Sequence, residues 1–238
     1  MLNILLIAVA LIGIGNSGNL VKTYSGKALN QSDDKFLYRE IHEAKFNGEK
    51  IDEIITQFKD PNNNLIAIRT MIFGEDLTKP QFVLKDFRSG YVEGSELLPS
   101  NKVRVYTKEN FGDNLDEKIL EVEEPFVIDG GITYFFKEHW EDLLKNKTIQ
   151  FNFVTPSKLD YFRFRVYKKA IVQIDGRKGL QLVLELDNFI MRAFVDPIII
   201  TYDLENKEIL YYKGISNIND ENGKSLSIKI DYSAKGNI

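Results

Sequence analysis

Hydrophobic and polar residues alternate with a period of two along much of this chain. Val103 and Val105 alternate with Arg104 and Tyr106, as in a strand with one buried face and one solvent-exposed face. Turn signals such as Asn222-Gly223 separate these segments, because both residues tolerate the positive φ of a tight hairpin turn. The pattern predicts about a dozen strands joined mostly by hairpins.

One segment follows a helical period instead. Within residues 133–145, the apolar residues Phe135, Phe136, Trp140 and Leu143 fall on one face of a helix. A sheet of so many strands must hide its edges and one face, so it curls. The predicted fold class is therefore mainly β: an antiparallel meander curled into a barrel, half-barrel or β-roll, with one amphipathic helix at about 133–145 packed against it.

The N-terminus carries an apolar run over residues 2–14, interrupted only by Asn3 and Gly13. This run is shorter than the about 20 residues that span a bilayer, and small residues follow it, as in a signal peptide. No Lys or Arg precedes the run, and a buried first strand is the alternative. We expect a signal peptide at 1–17, an extended lead-in at 18–34 and a single β-rich domain at 35–238. The expected location is the periplasm or cell exterior of a bacterium, with no stable membrane span after cleavage.

Composition removes several classes of function. The net charge of −4 argues against a nucleic-acid partner, which needs clustered positive charge. The chain has no cysteine, so disulfides, thiolate nucleophiles, cysteine-bound zinc and iron–sulfur clusters are excluded. The hydrophobic fraction of 43% is enough for a real core and argues against disorder.

No motif for catalysis or cofactor binding is present. His42 lies beside Glu40 and Glu43, and the spacing His139-x-x-Asp142 places two polar residues close together on the helix. A metal site would need the histidines to converge with a carboxylate, and such spacings occur by chance in many helices. We therefore expect no cofactor, no metal site, no catalytic residue and no enzymatic activity. A hydrolase built on a pair of carboxylates is the remaining enzymatic alternative.

Aromatic residues concentrate in the helix and in the strands that follow it. In the segment 161–169, Arg163 and Arg165 alternate with Phe162 and Phe164. In one interpretation the two arginines form a positive stripe that binds the head group of a ligand at the rim of a cavity. In the other they lie on the solvent-exposed face of an ordinary strand and pair with acidic residues of the neighbouring strand. The candidate residues for lining a cavity for an apolar ligand are Phe135, Phe136, Trp140, Phe151, Phe153, Phe162 and Phe164, with Arg163 and Arg165 at its rim.

Several short features together carry a resemblance. They are the N-terminal signal, the segment 36–43, the turn Asp60-Pro61, the corner Asp129-Gly130-Gly131 before the helix, and Asp196-Pro197-Ile198. The chain resembles an uncharacterised family of exported bacterial β-rich proteins with a domain of unknown function. More distantly it is similar to periplasmic β-roll proteins and to the lipoprotein-carrier fold. The carrier resemblance implies a hydrophobic cavity for acyl chains, although this sequence predicts one helix rather than several.

Two hypotheses follow from different classes of protein. The first is a non-enzymatic periplasmic or secreted protein that binds a lipid-like or other apolar small molecule inside a curved sheet. The second is a cell-envelope scaffold or assembly partner that acts through protein–protein contacts, using exposed strand edges.

Overall fold

The computed structural model describes residues 19–232, which form strands, short helices and their connections. Three α-helices are short: α1 (Ile132–Glu138), α2 (Trp140–Leu144) and α3 (Phe189–Arg192). The strands are β1 (Asn19–Asn30), β2 (Phe36–Asn47), β3 (Lys50–Lys59), β4 (Leu65–Ile72), β5 (Gln81–Asp86), β6 (Val92–Leu98), β7 (Lys102–Lys108), β8 (Asp116–Glu121), β9 (Phe126–Ile128), β10 (Ile149–Thr155), β11 (Asp160–Ile174), β12 (Arg177–Leu186), β13 (Ile198–Asp203), β14 (Ile209–Asn219) and β15 (Ser225–Asp231).

In this part of the chain the strands form one sheet of fifteen. Its order is β8-β7-β6-β5-β4-β3-β2-β1-β15-β14-β13-β12-β11-β10-β9. Neighbours pair antiparallel except β9 and β10, which are parallel. The edge strands β8 and β9 follow each other in sequence but do not pair, so the sheet is not closed. This confirms the predicted fold class, and Gly48 and Gly223 take positive φ values of 63° and 76° at two of the predicted hairpin turns.

The helical segment lies between the two halves of the sheet. Phe135, Phe136 and Trp140 pack into one apolar cluster with residues of β10 to β13. On the other side, the ring of Tyr134 meets the ring of Phe73, just after β4, edge to face at 5.4 Å. The segment therefore fills the concavity of the curled sheet, which removes its apolar face from water.

The predicted single helix is kinked at His139. Here φ is −96° and ψ is 15°, outside the helical range, and α1 and α2 lie on either side. The bonds from the His139 N–H to the Phe135 carbonyl (3.1 Å) and from the Leu143 N–H to the His139 carbonyl (3.0 Å) persist across it. The apolar face therefore stays continuous through the kink.

The segment 18–34, expected as a lead-in, contains β1 and belongs to the domain. β1 pairs with β2 from Asn19 to Leu29, and its last four residues, from Lys27 to Asn30, pair with β15. The polar composition of β1 does not prevent it from lying between β2 and β15, because a strand pairs with its neighbours through backbone hydrogen bonds. The signal peptide expected at 1–17 lies outside the described residues. Between residues 19 and 232, no helix has the length and apolar character needed to cross a membrane.

Replacing Phe136 with alanine tests whether the helical segment is part of the core. Phe136 is 0% exposed and contacts the rings of Phe151 and Tyr202. We expect Phe136→Ala to lower the free energy of unfolding in urea by about 3–5 kcal/mol, the range for a large buried ring. The control Phe189→Ala removes a ring that is 75% exposed and should change it by about 0.5 kcal/mol or less. Equal losses for the two variants would contradict this packing.

Candidate ligand-binding site in the curled sheet

A row of mostly polar residues crosses the inner face of the first six strands. Directly paired residues share one face of a sheet, and the pairing runs from β1 to β6 without a shift along this row. The row consists of Tyr24, His42, Thr56, Arg69, Leu84 and Glu93. Polar side chains in such a position need hydrogen-bond partners inside the protein.

His42 is the centre of the best-satisfied part of this row. Its Nε2 lies 3.1 Å from Oε2 of Glu40, and its Nδ1 lies 2.9 Å from Oγ1 of Thr56. The ring of Tyr24 stacks on the His42 ring at 4.4 Å, and the hydroxyl of Tyr232 donates to the same Glu40 oxygen at 2.6 Å. Burial raises the pKa of Glu40, but the bonds from His42 and Tyr232 outweigh it, so the net shift is downward. The carboxylate is therefore ionised, and His42 Nε2 donates to it.

The chain of Glu40, His42 and Thr56 has the residue types of a hydrolase triad but not its accessibility. Thr56 is 0% exposed and His42 is 4% exposed. A nucleophile must reach its substrate, and the Thr56 hydroxyl is enclosed. The chain of hydrogen bonds therefore joins β2 to β3 and holds the inner face together.

Arg69 and Asp129 form a second, less satisfied pair farther along the inner face. Nη1 of Arg69 donates to Oδ1 of Asp129 at 3.3 Å, while Nε of Arg69 and Oδ2 of Asp129 are buried without a hydrogen-bond partner. Asp129 also has a φ of 41°, in the left-handed region that disfavours residues other than glycine. This corner leads from β9 toward α1, so the pair ties the helical segment to β4.

Glu93 is an interior carboxyl whose pKa is strongly raised. It is half-buried, and burial together with the nearby negative charge of Asp129 raises its pKa from 4.5 to about 7. The hydroxyl of Tyr91, which donates to its Oε2 at 3.1 Å, acts in the opposite direction. Near pH 7 this carboxyl is therefore divided between its neutral and ionised forms.

Four tyrosines in or near the interior have hydroxyls that are shielded from water. Tyr24 is 39% exposed, although burial raises the pKa of its hydroxyl. Tyr134, Tyr212 and Tyr232 are half-buried, and burial raises the pKa of each as well. A ring that is partly exposed while its hydroxyl is shielded from water lies in a concave part of the surface. Among the described residues, β15 pairs with β1 from Lys27 to Asn30.

A separate cleft of about 520 Å³ lies on the outside, where α1 meets the loop before β5 and the segment before β9. His139 and Glu138 line it, and Lys79 crosses its wall to pair with Asp76 at 3.0 Å and Glu124 at 2.6 Å. His139 lines this outer cleft, whereas His42 lies on the inner face of β2, so the two histidines do not share a site. In residues 19–232 no group of three or more His, Cys, Asp or Glu residues is placed to hold a metal ion.

The aromatic residues proposed from sequence are brought together, but largely as packed core. Phe135, Phe136, Trp140 and Phe151 are each at most 3% exposed and belong to one cluster. Phe153 and Phe164 are partly buried against that cluster, and Phe162 is paired directly with Phe153 across β10 and β11. A role for this group in ligand binding stays a prediction, and it would require the packed rings to move apart.

Arg163 and Arg165 lie on the face of β11 opposite to Phe164 and Val166, which pack inward. Arg165 pairs with Glu185 on β12 at 2.5 Å, and Nε of Arg163 lies 3.5 Å from Asp187. This matches the alternative interpretation, an outer strand face whose arginines pair with neighbouring acids. It corrects the expectation of a head-group rim at these residues, because odd and even positions of a strand point to opposite faces.

Sequence reasoning missed the interior polar row. The signal was present in β2, where Tyr38, Glu40 and His42 occupy alternate positions and all three are at most 4% exposed. A period of two shows that such residues share a face, but hydrophobicity assigns polar residues to the wet face. The hydrogen bonds from His42 to Thr56 and from Tyr232 to Glu40 satisfy these polar groups, and for this reason the face can lie inside.

Comparison with known proteins identifies a similar fold. A solved structure described as a β-barrel-like protein of domain of unknown function DUF1849 from Brucella abortus aligns with a TM-score of 0.50 and 12% sequence identity. The alignment covers 88% of this chain and 94% of that one. No protein-family model matches the chain. No curated protein matches it either. The chain is thus a β-rich domain whose similarity to the Brucella protein extends to the fold alone.

Removing the hydroxyl of Tyr232 tests the hydrogen-bond network around Glu40. We expect Tyr232→Phe to lower the free energy of unfolding by about 1–3 kcal/mol, because a buried carboxylate loses a donor. The matched control is Tyr167→Phe on β11, whose hydroxyl has no hydrogen-bond partner among residues 19–232. Urea unfolding measures both, and a control as destabilised as Tyr232→Phe would refute the assignment.

Glu93 should make stability depend on pH. Its folded pKa of about 7 exceeds its ordinary value of 4.5, so the folded state holds the proton more tightly and stability falls as pH rises between those values. We expect Glu93→Gln to gain on the order of 1–2 kcal/mol relative to wild type at pH 8 compared with pH 4, a figure discounted for partial solvent exposure.

Urea unfolding curves at pH 4, 6 and 8 measure this difference. Glu123→Gln, which neutralises an exposed carboxylate, is the control and should show little change with pH. A Glu93→Gln profile parallel to that of wild type would show that Glu93 does not titrate in this window.

Proposed function

We propose that this protein is a non-enzymatic binding protein of the bacterial cell envelope, periplasmic or secreted, which holds a lipid-like or other apolar small molecule inside its curled sheet. The observation that supports the proposal is the surface at Tyr24, whose ring is 39% exposed although burial raises the pKa of its hydroxyl. Concave sites with aromatic walls and a few polar groups are typical of small-molecule binding.

The walls favour a ligand with both an apolar body and a polar group. The rings of Tyr24, Tyr134 and Tyr212 offer apolar faces, while their hydroxyls offer hydrogen bonds at the ring tips. The Tyr212 hydroxyl already donates to the Ile215 carbonyl at 2.6 Å. The hydroxyls of Tyr24 and Tyr134 make no hydrogen bond to another described residue, which supports their availability to a ligand.

A binding role also agrees with the polar groups nearby. The Thr56 hydroxyl beside His42 is enclosed, and the pKa of Glu40 is lowered, so this carboxyl is a poor general acid. Export rests on the sequence, through the apolar run at 2–14 and the absence of cysteine.

Native mass spectrometry of the protein from its envelope fraction, before and after organic extraction, tests the proposal. We expect an extractable small molecule of lipid size on wild type and its loss from Tyr24→Ala, because the variant removes one wall of the interior space. The control Tyr167→Ala changes a tyrosine on β11 at a position facing away from that space and should keep the ligand. A bare wild-type chain, or equal loss from both variants, would count against a ligand in this space.

A second candidate function is that of an envelope assembly partner. It is favoured by the connection between β12 and β13, where Phe189, Ile190 and Phe194 are 75%, 59% and 84% exposed. Exposed apolar groups of this size often mark interaction surfaces. In the same mass spectra, a discrete protein partner that dissociates on Phe194→Ser, without any small molecule, would favour this function.

A further inference from the structure

A short loop between β12 and β13 exposes several large apolar side chains. We call residues 188–195 the apolar loop. Phe189, Ile190 and Phe194 are 75%, 59% and 84% exposed, and Met191 is 39% exposed. Single apolar residues are normal on a protein surface, whereas a contiguous group of them marks a site of interaction.

The apolar loop holds its shape through its own hydrogen bonds. The side-chain oxygen of Asn188 accepts bonds from the N–H groups of Ile190 and Met191, at 3.0 and 3.2 Å, and so caps α3. The Ala193 N–H donates to the Ile190 carbonyl at 3.2 Å, and the Phe194 N–H donates to the Met191 carbonyl at 3.1 Å. These N–H groups are therefore satisfied within the loop, as an apolar environment requires.

Charges in and beside the apolar loop are balanced. The loop has no acidic residue, and its one cation, Arg192, pairs with Glu185 on β12 at 3.1 Å. The same carboxylate pairs with Arg165 on β11. The three cations and three acids in this region are Arg163, Arg165, Arg192, Glu185, Asp187 and Asp196. Attraction between this loop and another surface is therefore apolar and independent of salt.

A second exposed ring provides a comparison within the same chain. Phe111 is 68% exposed in the connection between β7 and β8. Residues 109–117 include four acidic residues and no Lys or Arg. Carboxylates beside a ring keep it in water, since charge is strongly disfavoured in an apolar environment. Exposure is therefore similar for Phe111 and Phe194, but only Phe194 lies among uncharged apolar neighbours.

The size and chemistry of the apolar loop favour a lipid surface over a protein partner. A stable protein interface takes about 20–30 residues from each side, and the loop has eight. Apart from Asn188 and Arg192, which already bond within the protein, its side chains are apolar and offer no hydrogen bond. A fluid lipid surface accepts apolar side chains without shape complementarity or directed hydrogen bonds.

We propose that the apolar loop inserts Phe189, Ile190 and Phe194 into a lipid membrane and docks the domain reversibly on that surface. Burial of apolar side chains by about 5–10 Å at the boundary of head groups and acyl chains is typical of proteins that lie on a bilayer without spanning it. This inference goes beyond the proposed function, because it concerns the exposed surface of the domain and needs no ligand inside the sheet.

Sedimentation of the full chain with phosphatidylcholine vesicles measures the docking. We expect Phe189→Ser and Phe194→Ser each to weaken partitioning by about 10-fold and the double variant by about 30-fold or more, because each change removes a ring from the apolar boundary. The control Phe111→Ser should partition like wild type, and added salt should change nothing. The apolar run at 2–14 is the same in every variant, so the ratio of partition coefficients isolates the loop.

A tryptophan placed in the loop reports insertion directly. Trp140, the chain's single tryptophan, is 3% exposed and supplies the background emission. We expect the emission of Phe194→Trp to shift to shorter wavelength with vesicles and to be quenched by brominated acyl chains. The matched control Phe111→Trp should show neither change.

The outcomes separate a membrane from the other occupants of the loop. Equal quenching of the two tryptophan reporters, or unchanged partitioning of both serine variants, would overturn the inference. A wild-type chain that ignores vesicles but forms a dimer lost in Phe194→Ser would assign the loop to a second copy instead. A wild-type chain without an extractable small molecule, but with the loop reporter quenched, would remove the interior ligand and leave membrane docking standing.

Discussion

The pairing of β1 with β15 is the constraint on which the rest of the structure depends. It joins a run of hairpins from β1 to β8 with a second run from β15 back to β10, so that one sheet curls around a common interior. Close approach at this seam requires Gly26, since a Cβ there would collide with the ring of Tyr232. The same tyrosine donates a hydrogen bond to Glu40 on β2, which couples residues 192 positions apart. The pairing of β1 with β15 therefore encloses the interior of the domain.

The interior has an apolar part and a polar part. The second half of the sheet buries its apolar residues against α1 and α2, whereas the first half carries a polar row on its inner face. The row is well satisfied at His42, close to the seam, and poorly satisfied at Arg69, whose partner Asp129 lies at the start of the helical segment. Unpaired buried polar atoms cost free energy, so this end of the interior is less stable than the seam.

The sequence by itself determined the local elements. The alternation at Val103 and Val105 and the turns at Gly48 and Gly223 indicate strands and hairpins, and the spacing of Phe135, Phe136 and Trp140 indicates helical structure, because these signals depend on neighbouring residues. Only the tertiary structure decided which face of each strand is inside. It turned Arg163 and Arg165 outward, turned Glu40 and His42 inward, and made a central strand of residues 19–30. These outcomes depend on backbone pairing and charge interactions between distant segments, for which a period of two or of about 3.6 residues carries no information.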